Sequence, residues 1–433
     1  MSEFGPSCVH VRGGRIFDPL ERLDLVGDVR VEDGIVVAIG ERLPSSANAR
    51  SIEARGCLVT PMFTDLHVHL REPGGEESET IATGTAAALA GGFATVYAMP
   101  NTNPTADRVA VIEHVLRAAA AAGPCEVVPV SAITEGLRGR ALVDFRAMAN
   151  AGAGAFSDDG AWVASDEVAE AAFRIAAEND WLIMEHCEDF GITGAGLLHD
   201  APAVRAAGIP GISREAEDHA TARDLELARR FGTRLHLCHV STAGAVAQLR
   251  RAKDAGLPVS GEATPHHLAL TVADAVRGGV DFKMKPPLRE PQDVEALVRA
   301  LEDGTIDAIG TDHAPHSPGK KGAGLPGAPF GAIGLETAFP VLYTNLVRTG
   351  RLSLARLLDV LVMGPARVTR RVPAALRIGA AARFNVIDVE SERRVDRARL
   401  RSKSKNCPFH GMALLGWPIA SVIGQSVLEH RTT

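Results

Sequence analysis

The spacing of apolar and polar positions changes period twice along the chain. Residues 1 to about 57 read as short strands, with Val29-Arg30-Val31-Glu32 and Ile35-Val36-Val37-Ala38-Ile39 flanking Asp33-Gly34. Asp-Gly between alternating segments marks a hairpin. Strand character returns in Phe384–Val389 and again from Ala420 to Leu428. Between these ends, short apolar runs alternate with alanine-rich stretches of helical period. Leu58–Thr64 precedes a helix near Ser78–Ala90, and Ala94–Met99 precedes one over Ala106–Ala122. Glu126–Ala132, Gly154–Ser157, Trp181–Glu185, Arg234–Cys238, Pro258–Gly261 and Asp307–Gly310 bring the candidate strands to eight.

Strands separated by helices in this number predict an α/β fold, a parallel (β/α)8 barrel. The competing open, doubly wound sheet is disfavoured in its dinucleotide-binding form, because no Gly-x-Gly-x-x-Gly follows the first strand. A barrel uses about 250 residues, so a chain of 433 is expected to hold one large and one small domain. Residues 313–331 are crowded with proline and glycine, and a loop that long in a compact enzyme is usually functional. Residues 392–405 hold many arginines and lysines and are expected to form a solvated surface.

Forty-six basic against 53 acidic side chains leave a formal charge of −7, which argues against a nucleic-acid-binding surface. The six cysteines are scattered without a Cys-x-x-Cys pair, as in an enzyme with reduced thiols. Met1 to Pro6 lacks the basic stretch and apolar run of a signal peptide, and the apolar run Ala86–Met99 is broken by Gly91-Gly92. A cytoplasmic protein that does not enter the membrane is expected.

The sharpest chemical signal is Asp65-Leu66-His67-Val68-His69-Leu70-Arg71-Glu72-Pro73-Gly74. Alternation on a strand points His67 and His69 the same way, and imidazoles about 7 Å apart can converge on one metal. Alone, His-x-His is more often a pair of ordinary polar residues. Context reverses that reading, since Asp158-Asp159, His186, His239 and Asp312 each follow a later candidate strand, and barrel active sites are assembled at that rim. His236 lies three residues before His239, so alternation assigns it the opposite face and a structural role. His10, His114, His199, His219 and His430 fall outside these motifs and are expected to be surface or structural.

With these motifs the sequence resembles the dihydroorotases of the amidohydrolase superfamily, of the bacterial type with a bridging aspartate. The resemblance also rests on MPNTNP at 99–104, FSDDG at 156–160, EHCED at 185–189, CHVST at 238–242, PPLR at 286–289, GTDHAPH at 310–316, PFGAIGLET at 329–337 and SKSKNCPFHG at 402–411. It implies a distorted TIM-type barrel over residues 58–370, with a small flanking β domain built from 1–57 and 371–433. His67, His69 and Asp312 are implied to hold one zinc and His186 and His239 a second, with Asp159 bridging and Asp158 the lesser candidate for the bridge. Related hydantoinases and allantoinases place a carboxylated lysine at the bridge, and residues 154–162 contain no lysine.

The implied reaction is reversible hydrolysis of the ring amide of (S)-dihydroorotate to N-carbamoyl-L-aspartate, a step of de novo pyrimidine biosynthesis. A hydroxide held on the metal would be the nucleophile, with Asp312 as general base and then acid. Arg71, Asn101 and His316 would bind the substrate carboxylate, and Phe330 and Gly331 the ring. His266-His267 are expected to support the ligands at most. Lys285 departs from the asparagine often found before Pro-Pro-Leu-Arg, and is expected to reach the substrate as a donor. The alternatives are an allantoinase or dihydropyrimidinase, and a non-catalytic partner of aspartate carbamoyltransferase. A homodimer, and a complex of the active enzyme with that transferase, remain open.

Overall fold

The computed structural model describes residues 8–44 and 49–430; the segment Met1–Pro6, on which the absence of a leader was argued, lies outside them. Five strands begin the chain: β1 (Cys8–Asp18), β2 (Leu23–Glu32), β3 (Ile35–Gly40), β4 (Arg50–Glu53) and β5 (Cys57–Pro61). Glu32 pairs directly with Ile35, and Asp33 and Gly34 both take positive φ, the two-residue turn that Asp-Gly favours.

Eight parallel strands follow in a second sheet. They are β6 (Phe63–Val68), β7 (Phe93–Ala98), β8 (Glu126–Ser131), β9 (Ala155–Phe156), β10 (Leu182–Glu185), β13 (Arg234–Leu237), β14 (Val259–Ala263) and β15 (Ala308–Ile309). The short pair β11 (Leu198–His199) and β12 (Gly211–Ile212) lies outside this sheet. The ring closes beyond β15, where the His69 N–H donates to the His313 carbonyl at 2.8 Å and Val68 bridges His313. Leu66, Tyr97, Val130, Ala155, Met184 and Ala308 come from six different strands and pack into one cluster, as the inward layer of a barrel must.

The chain ends with β16 (Arg383–Asp388), β17 (Arg393–Arg394), β18 (Ala413–Leu414), β19 (Trp417–Ile423) and β20 (Ser426–Glu429). β16, β19 and β20 join β1 to β5 in one mixed sheet. Its core draws Val11, Val31 and Val59 from one end of the chain and Phe384, Val386 and Val422 from the other. One expectation shifts here. Leu58–Pro61 pairs with β1 and β16 in the small sheet, so the first barrel strand is Phe63–Val68. The apolar run was continuous because both strands are buried, and Met62 between them is buried too.

The 313–331 segment is held down by two buried lysines. Lys283 donates to the carbonyls of Leu325 (2.7 Å), Pro326 (3.3 Å) and Ala328 (2.6 Å). Lys321 donates to those of Val280 (2.8 Å), Lys283 (3.3 Å) and Pro329 (3.0 Å), and burial pushes its pKa down to about 8. The basic 392–405 stretch is only partly a solvated surface. Arg394, Arg399, Arg401 and Lys403 are exposed, but Ser402, Ser404 and the adjoining Asn406 are buried, and the Ser404 hydroxyl donates to the Ser78 carbonyl at 2.6 Å.

Candidate metal centre and active site

Between Asp65 and Val68, β6 carries one residue more than the facing stretch of β7, since Asp65 pairs with Val96 while Val68 pairs with Ala98. Such a bulge re-aims the side chains beside it. Asp65 pins the strand, its Oδ1 accepting from the N–H groups of His67 and Thr311, both at 3.0 Å. The rings of His67 and His69 meet with centroids 5.4 Å apart. Asp159 stands between two groups of histidines. Its Oδ1 lies 3.2 Å from His67 Nε2, 3.6 Å from His186 Nδ1 and 3.7 Å from His239 Nε2, and its Oδ2 lies 3.5 Å from His69 Nε2. Asp312 Oδ1 is 3.0 Å from His69 Nε2 and 3.8 Å from His67 Nε2. All six side chains are buried.

This arrangement suits a cation. His67 Nε2 and Asp159 Oδ1 are buried without hydrogen-bond partners, and His186 Nδ1 faces His239 Nε2 at 2.9 Å. Dense, partly orphaned nitrogen and oxygen ligands at strand ends fit zinc chemistry. Burial raises the pKa of the Asp159 carboxyl, but the charge of His67 and the contacts from His186, His239 and His67 outweigh it and hold the group well below the usual carboxylate range. Asp312 is likewise held low against burial, chiefly by the hydrogen bond from His69 and the charge of His67. His186 is pushed up to about 9, burial being outweighed by Asp159 and Glu188. Asp158 is turned away, its Oδ1 accepting from the N–H groups of Ile133 (2.8 Å) and Thr134 (2.9 Å). Among the described residues, three of the eight non-glycine positions with positive φ are Arg71, His239 and Asp312, a concentration of unfavourable backbone typical of functional sites.

A cavity of about 300 Å³ opens over the cluster and is lined by all six expected substrate residues, Arg71, Asn101, Lys285, His316, Phe330 and Gly331. Asn101 bridges wall and cluster, its Oδ1 2.8 Å from His69 Nδ1 and its Nδ2 3.4 Å from Asp159 Oδ2. Arg71 donates from Nε to the Pro315 carbonyl at 3.1 Å, and its Nη2 lies 3.4 Å from His316 Nε2. Burial lowers the guanidinium pKa to about 10, still protonated at neutral pH. His316 Nε2 donates to the Phe330 carbonyl at 2.7 Å, and burial, then Arg71, pushes its pKa down to about 3. That wall offers a cation and neutral hydrogen-bonding groups, as an anionic ligand requires. A larger cavity of about 650 Å³ lies between Trp417 and the arginines of 393–401. It holds none of the clustered ligands, and Arg393 and Arg394 there already bond Asp388 and the Gly411 carbonyl, so the chemistry belongs to the smaller one.

Four supporting residues escaped the reading of the sequence. Glu262 on β14 accepts from His67 Nδ1 at 3.0 Å and lies 3.3 Å from His236 Nε2. His236 therefore points into the barrel, against the expectation from alternation: β13 ends at Leu237 and His239 has φ +35°, so strand periodicity does not carry across the three residues. A side chain on Gly310 would overlap both Glu262 carboxylate oxygens, which accounts for that glycine. A glutamate in a strand of otherwise small or apolar residues, Val259-Ser260-Gly261-Glu262-Ala263, was the available signal. Glu188 holds His186 Nε2 at 3.0 Å. Asn406 accepts from the His316 N–H at 3.1 Å and donates to the carbonyls of Ala314 (3.0 Å) and Gly331 (3.1 Å), which explains the SKSKN segment at this rim. Cys238 lies beside His67 and Glu262. His266 is buried, its pKa pushed down to about 4 by burial, and His267 Nε2 meets the Pro286 carbonyl at 2.9 Å.

A closed parallel barrel with histidines and aspartates gathered at the strand ends, beneath a cationic wall, defines a hydrolase of the amidohydrolase type. A family model described as dihydro-orotase-like matches residues 56–245. A dihydroorotase of Anaeromyxobacter dehalogenans is 47% identical over 423 residues, covering 97% of this chain and 98% of that protein. A dihydroorotase of Bacillus caldolyticus is 45% identical over 403 residues, covering 93% and 94%. The chain belongs to the dihydroorotase family. Among solved structures, the L-hydantoinase (dihydropyrimidinase) of Arthrobacter aurescens superposes with a TM-score of 0.87 at 27% identity, covering 98% of this chain and 96% of that one. The chain is thus a cyclic-amide hydrolase of a metal-dependent superfamily. All six cysteines are free thiols, and among the described residues no helix is long and apolar enough to cross a membrane.

Proposed function

We propose that the chain interconverts (S)-dihydroorotate and N-carbamoyl-L-aspartate, opening the ring amide in one direction and closing it in the other, within de novo pyrimidine biosynthesis. The observation that carries this reading is one 300 Å³ cavity with the His/Asp cluster on its floor and Arg71 on its wall. A small ring amide bearing a carboxylate matches both. His67, His69, Asp159, His186, His239 and Asp312 are the proposed ligands of one or two zinc ions. When bound there, zinc supplies Lewis acidity toward the amide carbonyl and lowers the pKa of water from 15.7 to about 7.

The chain's own groups do the rest. Arg71 grips the substrate carboxylate through the fork of its guanidinium, with Asn101 as a further donor and His316, its one proton held by the Phe330 carbonyl, beside the guanidinium on the binding wall. Phe330 and Gly331 face the ring. Asp312, whose carboxylate is ionised and hydrogen-bonded to His69, takes the proton of the attacking water. It then delivers that proton to the ring nitrogen as the C–N bond breaks. Closure runs the same transfers in reverse.

The allantoinase and dihydropyrimidinase reading is weaker, because their bridging lysine has no counterpart in residues 154–162. Turnover on dihydroorotate, allantoin and dihydrouracil tests the proposal. Dihydroorotate should be far the best substrate, and preference for either uncharged ring would overturn it. The non-catalytic reading is disfavoured by retention of all six proposed ligands. We also propose a cytoplasmic location, which six free thiols fit. The domain division proposed is 1–57 and 371–433 around 58–370, with the pairing of Cys57–Pro61 favouring a first boundary near residue 62. Assembly as a homodimer or with aspartate carbamoyltransferase is tested by sedimentation with and without the transferase.

A further inference from the structure

Between the cluster and the cavity wall stands one carboxylate that faces both. Glu188 follows the end of β10 by three residues and is almost fully buried. Its Oε2 is 3.0 Å from His186 Nε2. Its Oε1 accepts from the Thr193 hydroxyl at 2.6 Å and lies 3.2 Å from Lys285 Nζ. The Lys285 ammonium sits 4.6 Å from the ring centre of Phe190 and 4.8 Å from that of Phe330, so two aromatic faces and a carboxylate fix its place on the cavity wall.

The two sides of Glu188 have different chemistry. An ionised carboxylate accepts hydrogen bonds only, so Glu188 keeps a proton on His186 Nε2 and leaves Nδ1, the nitrogen that faces Asp159 and His239, as the one that can give up its proton to bind a metal. A partner of this kind sets the tautomer and orientation of a metal-binding histidine. On the other side, the carboxylate offsets the positive charge of Lys285. Without the lysine, a buried negative charge would face the space that an anionic substrate must enter.

We propose that Glu188 is a positioning residue shared by metal centre and substrate cavity, orienting His186 toward the metal and, paired with Lys285, making the wall tolerant of an anionic substrate. The proposal rests on the dihydroorotase reading above. It gives Lys285, at a position where dihydroorotases of this type often carry asparagine, a role that depends on Glu188.

The test separates the two sides. Metal affinity is measured by competition with a chromogenic chelator for the wild type, Glu188→Ala and Glu188→Gln, each checked for folding by its thermal melt. Loss of such a supporting partner costs about 10–100-fold in metal affinity, so Glu188→Ala should fall by that factor, and Glu188→Gln, which keeps an acceptor oxygen, by less. On the cavity side, Lys285→Met should raise KM for dihydroorotate several-fold more than KM for neutral dihydrouracil. Adding Glu188→Gln to Lys285→Met should lower that KM again, because the bared charge is gone. Wild-type metal affinity in Glu188→Ala, or a double variant no better than Lys285→Met, overturns the proposal. A wild type that does not turn over dihydroorotate instead sinks the functional reading, while the metal arm still judges Glu188.

Discussion

Replacing Glu262 by alanine should unsettle the metal centre from behind while every proposed ligand is kept. The side chain is fully buried, with His67 Nδ1 at 3.0 Å and His236 Nε2 at 3.3 Å. Burial raises its pKa, but the two histidines outweigh burial and hold the carboxyl at about 2, against an ordinary 4.5. At about 1.4 kcal/mol per tenfold in acidity, the ionised carboxylate is favoured in the folded protein, net of burial, by on the order of 3 kcal/mol. That agrees with the 3–5 kcal/mol typically lost, in order of magnitude, when one partner of a buried pair is removed. Metal-free Glu262→Ala should therefore unfold at a clearly lower urea concentration with an unchanged m value. The pH dependence has a definite sign. A carboxyl with a depressed folded pKa stabilises fully above its unfolded value of about 4.5, and that contribution fades as the pH falls toward 2. The gap between wild type and variant should be full at pH 7 and narrow in acid. Glu262→Gln should lose less, since its amide oxygen can keep His67 while His236 switches tautomer against Ser260, 2.8 Å from its Nδ1. A wild-type urea midpoint for Glu262→Ala at pH 7 would refute the argument.

Asp312→Asn should fold and lose about 10²–10⁴ in turnover through lost proton transfer; near-full activity with metal retained would remove Asp312 from that role. Arg71→Ala should raise KM for dihydroorotate about tenfold or more, the scale of a charge-assisted hydrogen bond of 1.5–3 kcal/mol, while dihydrouracil barely responds; equal losses on both would indicate a structural role. Lys283→Met frees the carbonyls of Leu325, Pro326 and Ala328, so limited proteolysis should cut within 318–328 faster than in the wild type, and an unchanged cleavage rate would count against the lysine as the loop's anchor.

The barrel was legible because alternating apolar runs and helical segments are a direct consequence of burying strands on both faces. So was the set His67, His69, Asp159, His186, His239 and Asp312, as residues that follow strand after strand. The boundary between β5 and β6 was not, since both strands and Met62 are buried and hydrophobicity marks no joint. The inward turn of His236 was hidden for a different reason. Alternation is a property of regular strand, and His239 lies past the end of β13 in a positive-φ conformation. Glu262, Glu188 and Asn406 were missed because a supporting residue is defined by its partners, which come from distant parts of the chain. Asn406, for instance, reaches Ala314 and Gly331 from 92 and 75 positions away.

The most direct test of the account is dihydroorotate ring opening followed through removal and return of metal. The purified protein is stripped with a chelator, assayed, titrated with zinc and assayed again, with bound zinc measured in the same samples. Activity should vanish on stripping and return in proportion to zinc, reaching its plateau at about one to two equivalents per chain. Full turnover in the stripped protein, or none on dihydroorotate after zinc has bound, would contradict it.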